Sequence, residues 1–140
     1  MRKHLTFAGS SLLLAFACLQ LAFAADAPSF AGEFADRKYL SGQAVFQMSI
    51  EQHGNTASIW FSAGYSDGHG SAPEADGTGK VNGKGLLEFS FKDSEGNAGN
   101  GTITRSGDGI IVSLKPTHVS DSRSLVFYRE NIHLKRGPKK

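Results

Sequence analysis

Asp67, His69, Glu74 and Asp76 fall within ten residues, separated by glycines and a proline in the stretch Ser66–Asp76. Side chains of these types can do three kinds of chemistry. Carboxylates with backbone carbonyls can hold Ca²⁺, but the Asp-x-Asp-x-Asp-Gly run and closing Glu of a calcium loop are missing. His69 as base and Asp67 as its orienter would suit a hydrolase, with Ser66 and Ser71 as nearby hydroxyls. An exposed loop on a rigid scaffold is also where a partner is commonly met. The bland alternative is a solvated loop that uses Asp and Gly for its turns. Partner contact is the functional reading carried forward, with Trp60, Asp67, His69, Glu74 and Asp76 as the contact residues. Catalysis through His69 is an alternative.

Other candidate motifs give less. Asp93-Ser94-Glu95-Gly96-Asn97 begins like a calcium loop, but Ala98 stands where the glycine belongs and Thr104 where a bidentate Glu belongs. It reads as a polar turn. His53, His69, His118 and His133 show neither His-x-x-x-His nor His-Glu-x-x-His spacing, so no metal or cofactor is expected. Asn100-Gly101-Thr102 matches a glycosylation acceptor. No glycine loop ends in Gly-Lys-Ser/Thr, which argues against a nucleotide enzyme. No Lys/Arg stripe suggests nucleic acid.

The elements that must position these residues alternate with a period of two. Ala44, Phe46, Met48 and Ile50 form one apolar set, with Val45 the exception; Ala57, Ile59, Phe61, Ala63 and Tyr65 form the next. His53-Gly54-Asn55 turns the chain between them. Trp60 then points outward, either as a contact residue or covered by Phe30 or Phe34. Gly77–Lys84 reads as a weak strand. Leu87, Phe89 and Phe91, then Asn100–Arg105, then Ile110, Val112 and Leu114 continue the pattern, with Pro116 as the expected stop. A last strand is expected over 125–135, with Val126, Tyr128, Ile132 and Leu134 inward and Leu125 and Phe127 outward. Residues 30–34 suit a short leading strand or a helical turn. The expected fold is all-β: an antiparallel meander of seven or eight strands closing into a small lipocalin-like barrel, with a two-sheet sandwich as the alternative.

Residues 1–24 carry Arg2, Lys3 and His4, an apolar run and the exit Ala22-Phe23-Ala24, the pattern of a secretory signal peptide. The apolar run falls short of a membrane span. A periplasmic or secreted domain over 25–134 is expected, followed by a basic disordered tail at 135–140. The chain has 15 Lys+Arg and 13 Asp+Glu, and Arg2 and Lys3 would leave with the signal. Cys18, the only cysteine, lies in the same segment. Cleavage after Ala24 therefore leaves no thiol for a disulfide or nucleophile, while lipid attachment at Cys18 is the alternative.

Gly32-x-Phe34 followed by a meander of short strands resembles the small lipocalin-like barrels of bacterial envelopes, some of which are similar to periplasmic lysozyme inhibitors. That resemblance implies a binding protein acting through loops. The expected function is thus a non-enzymatic envelope protein that binds another protein, as an inhibitor or immunity-type binder. Outside the tail, the acidic body favours a basic partner. A small-molecule or lipid carrier using the barrel mouth is the second alternative, with Phe46, Phe61, Phe89 and Phe91 lining it.

Overall fold

The computed structural model describes residues 28–138. The expected signal peptide and Cys18 lie outside them. Eight strands run β1 (Gly32–Tyr39), β2 (Ala44–His53), β3 (Thr56–Tyr65), β4 (Glu74–Val81), β5 (Leu87–Asp93), β6 (Ala98–Ser106), β7 (Gly109–His118) and β8 (Ile132–Arg136). Each pairs antiparallel with the next, and β8 returns to β1, so the sheet is a closed barrel. Closure leaves no sheet edge to protect and settles the choice between barrel and sandwich.

The alternation seen in the sequence is the inside–outside alternation of the wall. Phe46, Met48 and Ile50 of β2 point in with Ile59, Phe61 and Ala63 of β3, each buried. Two-residue hairpins join β2 to β3 through Gly54-Asn55 and β6 to β7 through Gly107-Asp108. Gly54 and Gly107 hold φ near +60°, at 62° and 58°, a left-handed conformation that favours glycine.

β4 to β6 follow a stricter rule. Gly77-Thr78-Gly79 and Gly99-Asn100-Gly101 flank Phe89-Ser90-Phe91 in register, so each inward phenylalanine has a glycine on both sides. A Cβ on Gly101 would lie 2.3 Å from Phe89 Cζ, and one on Gly99 2.8 Å from Phe91 Cζ. The rings occupy the space the glycines vacate, an aromatic–glycine pairing that draws this wall toward the core. The weak strand expected over 77–84 is β4, which ends at Val81 and is fully paired on both sides; its neighbours' rings and its own Ala75 and Val81 anchor it. It also starts earlier, at Glu74, so the loop expected to reach Asp76 is shorter.

The seam between β7 and β1 departs most from expectation. Pro116 does not end β7, which runs to His118; Pro116 faces Gly99 beside a register shift at Ala98/Gly99, and such an irregularity accommodates a residue without an N–H. Residues 125–135 are not one strand. Ser122–Phe127 forms a 3-10 turn capped by Asp121, and β8 begins only at Ile132. Arg123 beside Asp121 lowers that carboxyl to about 2. Phe127, expected outward, is fully buried, because a two-residue period has no meaning in a helical turn; Tyr128, Ile132 and Leu134 do face inward. Lys135 and Arg136 are not a free tail: they pair with Ala35 and Phe34 and close the barrel. Arg136 lies over the Phe34 ring at 4.8 Å, and its guanidinium donates to Asp108 and to the Ala31 carbonyl, each at 3.2 Å.

Both ends of the barrel are filled. At one, Phe127 and Tyr128 cover the core: the Tyr39 hydroxyl donates to the Phe127 carbonyl at 2.7 Å, and Tyr128 meets Phe61 and Phe91 edge-on. At the other, Phe30 enters the core while its N–H donates to Gln52 Oε1 at 2.8 Å. Phe46, Phe61 and Phe91 pack on one another with ring centroids 5.1–5.6 Å apart.

Candidate functional site

The five residues singled out from the sequence separate into two groups. Asp67 and His69 sit on the β3–β4 loop. His69 Nδ1 donates to the Asp67 carboxylate, and its backbone N–H donates to the same oxygen at 3.1 Å. These bonds hold the Asp67 carboxyl below the usual carboxylate range. The imidazole stacks on Tyr65 at 4.2 Å, and Tyr65 rests on Phe127. Among the described residues His69 hydrogen-bonds to Asp67 alone. The loop hydroxyl of Ser71 is turned away and buried against Ser124 at 2.8 Å. The loop is thus pinned to the barrel plug, with a His–Asp pair on its solvent side. Among the described residues, no group of three or more His, Cys, Asp or Glu is gathered to hold a metal ion.

Trp60, Glu74 and Asp76 lie instead on the outer wall. Trp60 is 37% exposed, whereas Phe30 and Phe34 are buried in the interior. It is not covered by them, because odd and even positions of a strand face opposite sides. In register, Glu33, Ser49, Trp60, Asp76 and Lys92 form one row across β1 to β5. Glu51 and Glu74 sit diagonally from Trp60, opposite Ser58 and Ser62. Three carboxylates, Glu51, Glu74 and Asp76, therefore flank one exposed indole, with Glu33 two strands away accepting from the Ser49 hydroxyl.

On the other side of Trp60 the wall is concave. Two open grooves of about 770 and 750 Å³ run over β3 to β6 and share Thr78, Ser90 and Asn100. These three outward residues alternate with the inward Gly77, Gly79, Phe89, Phe91, Gly99 and Gly101. The Gly-x-Gly and Phe-x-Phe pattern that draws the wall inward is the sequence signal for the trough. It is easily missed, because a glycine-rich stretch with few apolar residues reads as a poor strand.

Asp93–Asn97 is a polar turn, as its residues suggest, with a specific task. The Asp93 carboxylate accepts from the backbone of Glu95 and Asn97 at 2.8 Å, from Asn97 Nδ2 at 2.9 Å and from the Tyr128 hydroxyl at 2.5 Å. Buried Asn97 accepts in turn from the backbone of Ser120 and Asp121 at 2.8 and 2.9 Å. Burial and the neighbouring Asp93 push the Tyr128 phenol well above its usual range. The network ties the β5–β6 turn to the plug, and its carboxylate oxygens are spent on these donors.

No family model, curated protein or solved structure matches this chain.

Proposed function

We infer that this chain is a non-enzymatic binding protein, exported to the bacterial envelope, that engages a basic protein through the outer wall around Trp60. One observation carries the reading: an exposed indole flanked by Glu51, Glu74 and Asp76 on a rigid sheet. A tryptophan supplies large contact area, and surrounding carboxylates attract cations and steer a basic partner. Lys or Arg placed against an indole face gains further attraction. Export rests on the signal pattern of residues 1–24.

The same geometry lends less to the other readings. A carrier needs a chamber, and here the rings of Phe46, Phe61 and Phe91 pack together between two filled ends. A hydrolase needs a nucleophile at His69, which instead holds Asp67.

Affinity capture from envelope extract, followed by mass spectrometry, tests the proposal. The wild-type chain should retain a basic protein. Trp60→Ala should abolish retention while leaving thermal stability within about 0.5 kcal/mol, as for a surface position. Glu51→Gln with Glu74→Gln and Asp76→Asn should weaken it and flatten its salt dependence. Equal retention by all variants would remove this wall from the account.

A further inference from the structure

The trough beside Trp60 meets the carboxylates only at its Glu74–Asp76 end, and its centre has a chemistry of its own. Its central row is Ser58, Thr78, Ser90 and Asn100, one residue from each of β3 to β6, directly opposite one another and exposed. All four are uncharged, and each side chain can both donate and accept. Among the described residues, none of these side chains hydrogen-bonds within the protein, although Asp93, Asn97, Gln52 and Asn82 nearby are fully engaged. Their bonding capacity faces outward.

Charges of both signs flank that row: Asp76 stands opposite Lys92 on one side and Lys80 opposite Glu88 on the other, with Glu74 and the hydrogen-bonded Asp93 also at the Trp60 end. A polyanion would meet Asp76 and Glu88, and a polycation would meet Lys80 and Lys92. The uncharged row at the centre of the trough complements a ligand that is itself neutral. The groove is open and elongated, so the ligand is a chain lying across strands instead of a compact molecule enclosed in a pocket. At its rim, Trp60 offers a flat apolar surface with one polar edge, suited to the apolar face of a sugar ring.

We propose that the β3–β6 trough binds a neutral oligosaccharide, with Thr78, Ser90 and Asn100 bonding its hydroxyls and Trp60 stacking at one end. This site shares Trp60 with the proposed protein-binding surface, but it rests on the uncharged row and not on the carboxylates. The glycines beneath it have a role in this site: with side chains at Gly77, Gly79, Gly99 and Gly101, the wall would be pushed outward and the trough would flatten.

Trp60 is the only tryptophan in the chain, so its fluorescence reports directly on the trough rim. The full chain would be titrated with cellohexaose, chitohexaose and maltohexaose, with oligolysine and oligoglutamate as charged controls. At least one hexaose should give a saturable change. Thr78→Val combined with Asn100→Ala should weaken it about tenfold, the loss of roughly one good hydrogen bond. Circular dichroism of that variant should show an intact barrel, and the Ser90→Ala variant provides a milder second probe. Glu33→Gln with Glu51→Gln, both outside the trough, should leave hexaose affinity unchanged, which separates this site from the protein-binding surface. The proposal is overturned if no hexaose saturates the signal at millimolar concentration, or if the trough variants bind as the wild type does. It is equally overturned if oligolysine is the ligand whose affinity they reduce.

Discussion

The β4–β6 wall and the β7–β8–β1 seam close the same barrel by opposite means. The wall is regular: glycine and phenylalanine alternate across three fully paired strands, and the plug meets it only at its Phe91 and Asp93 end, through Tyr128. The seam is irregular: β8 pairs with β1 at only two positions, and Ser122–Phe127 fills the space a longer strand would occupy. A barrel wall can thus be sealed by backbone pairing or by side chains plugged from one end. The regular wall is left free to present a ligand surface outside, while the seam is committed to holding the fold.

The largest test of this contrast is Phe127→Ala. Removing a fully buried ring from the plug should cost about 3–5 kcal/mol in urea unfolding. Hydrogen exchange should rise first in β8 and β1. Uniform loss of protection around the whole barrel would show that the plug is no separate device. Gly101→Ala tests the wall. The added methyl meets the Phe89 ring, and overpacking should cost about 1–3 kcal/mol. Its exchange signature should stay within β4 to β6 and spare the seam. A neutral Gly101→Ala would mean that the wall yields easily and that the trough is not set by its glycines.

A third, finer test is alkaline pH. Burial raises the Tyr39 phenol from its ordinary 10.0 to about 12. Below pH 10 both folded and unfolded forms keep the proton, and the contribution of the neutral phenol is fully present. Between pH 10 and about 12 the unfolded chain ionises first, so stability should fall across that window. Tyr39→Phe should make the fall shallower, with Tyr128 supplying the remainder. An unchanged slope, followed by stepped-pH urea melts, would show that Tyr39 is not held in the seam.

Legibility followed the same division. Phe46, Ile59, Phe61, Leu87 and Val112 were readable as inward residues, because each lies in a strand whose neighbours alternate. Trp60 was readable as outward for the same reason. Phe127 was not, since the period of two breaks where the chain leaves the sheet for a 3-10 turn. Lys135 and Arg136 looked like a solvated end; only closure of the ring gives them partners in Ala35 and Phe34. At the candidate site, Glu74 and Asp76 were singled out with Asp67 and His69 because they are near in sequence. The strand start at Glu74 parts them. Thr78, Ser90 and Asn100 carried no signal individually, being ordinary outward polar residues.

The sequence by itself determined which strand side chains point into the core, because a strand's pleat sends alternate residues to opposite sides whatever the topology. It also signalled the β2–β3 and β6–β7 reversals, because glycine adopts the left-handed backbone angles at Gly54 and Gly107 at least cost. Tertiary structure decided the rest. Only when the strands lie side by side do Ser58, Thr78, Ser90 and Asn100, spread over more than forty residues of chain, become one row. Proximity between strands is set by register and closure, and no local pattern encodes it.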